Sequence, residues 1–104
     1  FTPPPGATRI TAEVGINAAA YAPDATAATD GVRVTIFELR PDGLRRVLYQ
    51  RDLDPAKVLG DRGPQAIVIH EAGSFTGSVV FKISPGEKNN LVNDWAYWGR
   101  IEIR

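Results

Sequence analysis

The chain has 104 residues, with twelve basic and twelve acidic side chains, no cysteine and no methionine. That length suits one domain whose core is large enough to fold without staples. A balanced charge argues against a nucleic-acid or anionic-membrane binder, and the missing cysteines exclude disulfides, zinc–thiolate sites and thiol nucleophiles.

Residues 1–7, FTPPPGA, read as the tail of a linker, because consecutive prolines make a stiff extended spacer. The domain is then expected at 8–104, as one part of a larger protein. No apolar run approaches the length of a membrane span, so no direct membrane insertion is expected.

Residues 9–17, RITAEVGIN, place Ile10, Ala12, Val14 and Ile16 on one face, the period of a half-buried strand. Residues 18–31 read as a loop. Residues 32–40, VRVTIFELR, begin with Val32, Val34 and Ile36 in one phase, and Phe37 and Leu39 then take the other. Either a bulge near Ile36 switches the faces, or both faces are covered. Pro41-Asp42-Gly43 predicts a turn, since Pro fixes φ and Gly accepts a positive φ. Residues 44–51 return as the partner strand of a hairpin. Residues 52–64 form a loop, with room for one helical turn after Asp54-Pro55. Strands follow at 65–71, at 78–83 with Val79, Phe81 and Ile83 in phase, and at 94–103. No long helix is predicted. Short strands separated by turn signals indicate an all-β, two-sheet antiparallel β-sandwich.

In the last strand Trp95, Tyr97, Gly99, Ile101 and Ile103 share one phase, and Ala96, Trp98, Arg100 and Glu102 the other. The first set ends in two isoleucines and is expected to face the core, with Gly99 leaving room for a large neighbour. The expected core comprises Val14, Ile16, Val34, Ile36, Val79, Phe81, Ile83, Trp95, Tyr97 and Ile101. Trp98 is the aromatic left on the outer face.

The catalytic inventory is poor, and no enzyme is expected. His70, the only histidine, falls on the outer phase of its strand with Ala66 and Val68, and nothing nearby in sequence completes a triad. In GSFTG, residues 73–77, the serine stands second, not at the centre of a nucleophile elbow. Arg40, Arg45, Arg46 and Arg51 surround the hairpin, either as an anion site or as a solvated face with cross-strand charge pairs. Asn89, Asn90, Asn93 and Asp94 could supply oxygens to Ca²⁺, with Asn93 and Asp94 as the candidate ligands. The same side chains could equally hold a turn. No other cofactor is expected.

The stretch GPQAIVIHEAGSFTGSVVFKISPGEKNNLVNDWAYWGRIEI resembles the jelly-roll domains related to the novel carbohydrate-binding module, which occur on bacterial membrane glycosyltransferase-like and other envelope proteins. AEVGIN at 12–17, DGVRVTIFEL at 30–39 and LYQRDLDP at 48–55 stand in the corresponding order, and DWAYWG is the distinctive motif. The resemblance implies a jelly roll with sugar binding in some members, related domains often carrying a structural calcium. It implies an accessory domain of an extracytoplasmic protein, binding a glycan or positioning a glycan-handling domain of the parent chain. Trp98, Asn89, Asn90 and Arg100 could then supply the mixture of ring, amide and charge that sugars need. The alternative is a structural or protein-interaction sandwich, with Trp98 packed under the preceding loop.

Overall fold

A computed structural model describes residues 1–16, 31–55, 57–71, 73–85 and 96–104 of the chain. The strands are β1 (Arg9–Ile16), β2 (Val32–Leu39), β3 (Arg45–Leu53), β4 (Gln65–His70), β5 (Ser78–Pro85) and β6 (Ala96–Ile103). Among the described residues, a 3₁₀ turn, Leu59–Asp61, stands between β3 and β4. Sheet A has the order β4-β1-β6 and sheet B the order β3-β2-β5, with every pair antiparallel. The protein is therefore an all-β, two-sheet sandwich. A jelly roll has eight strands; six lie among the described residues.

The two central strands carry the cleanest alternation, because each must bury one face beneath the opposite sheet. Ile10, Ala12, Val14 and Ile16 of β1 meet Val32, Val34 and Ile36 of β2, and Ile67, Ile69 and Val79 complete the middle of the core. Burying such an aliphatic side chain fully contributes about 1.5–3 kcal/mol. Phe81, Ile83 and Ile101 also face inward as expected, but are only half-buried because they sit on edge strands.

The hairpin is β2–β3. Arg40 N–H donates to the Leu44 carbonyl and Gly43 N–H to the Arg40 carbonyl, each at 2.9 Å, with Gly43 at a φ of 86°. The phase conflict within β2 resolves in two parts. Leu48 is an extra residue in β3, between the pairs Ile36–Tyr49 and Phe37–Val47, so the bulge belongs to the partner strand. β2 itself keeps its alternation. Phe37 stays on the outer face and is covered there by the Arg45 guanidinium, 5.0 Å from the ring centroid.

The last strand departs from the expected phases. Glu13 pairs with Gly99 and Thr11 with Glu102, so Arg100 and Ile101 together oppose Ala12. Arg100 takes the left-handed conformation, with a φ of 49°. This bulge inverts the phase midway along the strand. Ala96 and Trp98 thus face inward along with Ile101 and Ile103. Tyr97, expected in the core, is 41% exposed. Its ring lies over Gly15, not over a neighbour accommodated by Gly99, around which there is open space. Trp95 lies outside the described residues.

The two long sides of the sandwich close differently. Between β5 and β6, Phe81 meets Trp98 edge-on, with ring centroids 5.3 Å apart. Between β3 and β4, Arg46 reaches Glu71 at 3.0 Å. Within the opening segment, Ala7 is buried and its carbonyl accepts from Phe75 N–H at 3.0 Å.

Candidate functional site

Trp98 and Arg100 do not form one site. Trp98 points into the sandwich against Phe81, whereas Arg100, turned out by the bulge, lies on the opposite face of sheet A with its guanidinium 3.9 Å from Glu13. Asn89, Asn90, Asn93 and Asp94 lie outside the described residues, and the calcium reading rests on them. Among the described residues no cluster of three or more His, Asp or Glu side chains could hold a metal ion. Nor is any helix there long and apolar enough to cross a membrane.

The outer face of sheet A carries a shallow groove of about 510 Å³ around the bulge. Thr11, Glu13, Ala66, Val68, Arg100 and Glu102 line it. All three strands contribute through their solvent-facing positions. Val68 is 55% exposed and, with Ala66, forms an apolar floor. Glu13, Glu102 and Arg100 supply acceptors and donors around it. The volume falls within the range of small-molecule sites. Thr11 and Glu13 already belong to the outer face by period-two reading; the groove itself had no sequence signal, because it depends on which strands become neighbours.

Glu38 is the functional-type residue that the sequence reading passed over. It is only 1% exposed. Its position continues the inward phase of Val32, Val34 and Ile36, and that phase was the available signal. One carboxylate oxygen accepts from Arg46 Nε at 3.4 Å and from Arg40 Nε at 3.5 Å, and the other from Thr76 N–H at 2.8 Å. Burial alone would raise its pKa. The Thr76 amide and the Arg46 and Arg40 guanidiniums outweigh burial and hold the carboxyl below its ordinary value. Asp61 plays a similar part at the other end of β3, accepting from Arg51 at 2.6 Å and from Asp54 N–H at 2.9 Å. Every oxygen of the two carboxylates already accepts from a protein donor, so each acid acts as an anchor between segments of the chain.

The four hairpin arginines are thereby separated. Arg46, Arg40 and Arg51 serve these buried acids, and Arg45 covers Phe37. Arg33 and Asp52, directly opposite across the hairpin, form a two-point pair at 2.8 and 3.2 Å. The hydrogen bonds from Arg33 hold Asp52 below its ordinary pKa. His70 is exposed on the outer phase, as its spacing predicted. Comparison with family models, with curated proteins and with solved structures gave no match.

Proposed function

We propose that the domain is a non-catalytic accessory module of a larger extracytoplasmic protein, and that it binds a glycan on the outer face of sheet A. The groove at the Arg100 bulge carries this reading. Sugars present alternating C–H patches and hydroxyls. Val68 and Ala66 offer an apolar floor to the first, and Arg100, Glu13, Glu102 and Thr11 offer donors and acceptors to the second. A residue held at positive φ beside a groove supports the same reading, since bulges often serve to re-aim a side chain. Such a groove is open, so affinity would be modest.

The test is a glycan array followed by titration of an isotope-labelled sample with any glycan retained. Arg100→Ala and Glu13→Gln should weaken binding at least tenfold with the melting transition unchanged. A domain that retains no glycan at millimolar concentration overturns the proposal.

One observation favours a second reading, a structural or protein-interaction domain without a small-molecule ligand. The ring of Trp98, the aromatic that a sugar platform would have used, packs inward on Phe81. Under that reading neither the wild-type domain nor its Arg100→Ala and Glu13→Gln variants retain any glycan.

A further inference from the structure

Of the four hairpin arginines, Arg45 alone serves no carboxylate among the described residues. It lies over the Phe37 ring on the outer face of sheet B. That contact fixes where the guanidinium sits and gives none of its N–H donors an oxygen. Lys82, on β5, stands directly opposite Thr35 on the same face. Among the described residues it too meets no carboxylate.

The rest of that face does not compensate them. Asp52 is the one acid among its described outward positions, and Arg33 already neutralises it. The chain as a whole is neutral, so two uncompensated positive charges on one face are a local excess. A shallow groove of about 300 Å³ runs between them. Phe37 and Val47 form its apolar end, and Val47 is 59% exposed. Thr35 and Gln50 form its polar middle. Gln50 Nε2 donates to Thr35 Oγ1 at 3.5 Å, which leaves the amide carbonyl of Gln50 to accept from a ligand.

We infer that the outer face of sheet B binds a linear acidic glycan, with carboxylates of its uronate residues on Arg45 and Lys82. A guanidinium fork held in place matches a carboxylate in two bonds, and the ammonium adds a point charge. Arg45 sits at the Phe37 position of β2, and Lys82 arises beside Thr35, about 7 Å further along that strand. Cations spaced in this way suit a chain with an anion on each sugar better than one small anion. Val47 meets the C–H patches of the sugar, and Gln50 and Thr35 meet its hydroxyls. A nucleic acid fits less well, since its bases need an open aromatic face and Phe37 is 8% exposed beneath Arg45. An extended peptide gains no ladder there, because the face of a sheet offers no backbone donors or acceptors. The inference rests on sheet B alone. The groove on sheet A lies across the sandwich, so either site can fail without the other.

Trigalacturonate is the probe, with its fully methyl-esterified form as the uncharged match. Added at millimolar concentration to the labelled protein at low salt, the acid should shift the amide signals of Thr35, Phe37, Gln50 and Lys82, and leave those of Thr11 and Glu13 in place. The ester should bind at least tenfold more weakly. Lys82→Gln should weaken binding of the acid at least fivefold with the melting transition unchanged. Arg45→Gln should do the same, and Arg45→Lys, which keeps the charge, should recover part of the loss. Equal binding of acid and ester overturns the inference, as does the absence of any shift on sheet B. Shifts confined to Thr11 and Glu13 also overturn it, by assigning the acidic glycan to the groove on sheet A. Tighter binding of an oligothymidylate at the same sheet B residues overturns it in favour of a nucleic acid.

Discussion

The ring of Tyr97 lies directly across Gly15, its partner in the β1–β6 ladder, so that a Cβ at position 15 would stand 2.7 Å from the phenol oxygen. Glycine in a strand interior is ordinarily a weakness. Here the ring covers the bare backbone, and Gly15 is buried although it faces outward. Gly15→Ala should cost up to about 1 kcal/mol, because the obstructing atoms are the movable end of a side chain. In a Tyr97→Ala background the same change should stabilise by about 0.5 kcal/mol, the usual benefit of Ala over Gly. A double-mutant cycle in urea reads the reversal of sign. Additive effects would show that the ring does not rest on Gly15.

Arg100 holds a left-handed conformation that costs a non-glycine residue about 1–2 kcal/mol. Its ion pair with Glu13 is long and exposed, so little is lost with the side chain. Arg100→Gly should therefore raise stability by about 0.5–1 kcal/mol, and Arg100→Val, β-branched, should lower it by at least as much. Denaturant midpoints in parallel melts measure both. A destabilised glycine variant would mean that the side chain contributes more than the backbone strain costs.

Glu38 should shape the acid limb of stability. Its folded pKa lies below the unfolded value. The contribution is therefore complete above the ordinary glutamate pKa, about 4.3. It is lost as the pH falls through that value and through the lower folded one. Glu38→Gln should flatten the fall in melting temperature over this window. Glu38→Ala, which leaves Thr76 N–H and the two guanidiniums without their acceptor, should cost about 2–3 kcal/mol at neutral pH. The arginines are partly solvated, which keeps this figure below that for a fully buried pair. An acid limb unchanged by Glu38→Gln would assign the pH dependence to other carboxylates.

Phe81 and Trp98 join the sheets through an edge-on ring contact. Phe81→Ala should cost about 2–3 kcal/mol, less than a fully buried phenylalanine, because the site is half open. Trp98→Ala should cost a similar amount. The coupling between them should be about 0.5–1.5 kcal/mol. Double-mutant melts measure it, and independent effects would remove the contact from the account of stability.

Local alternation was enough to find the strands and to orient β1, β4 and β5, because period two survives wherever a strand is regular. The turn residues Pro41-Asp42-Gly43 likewise announced the hairpin, since the backbone angles they favour are intrinsic to them. Part of the candidate site was legible in the same way: Thr11 and Glu13 read outward from β1, and Arg100 had been singled out. Its place at the groove was not legible, because Val68 and Glu102 reach it only through strand order. The facing of Trp98 and Tyr97 was misread for a related reason. A bulge is defined by the partner strand, and nothing within 94–103 alone marks Arg100 and Ile101 as sharing one position opposite Ala12. Tertiary structure also decided the fate of Glu38. A carboxylate in a buried phase is ruinous by itself, and it is stable here only because β3 and the segment at Thr76 bring donors to it across eight and thirty-eight residues of sequence.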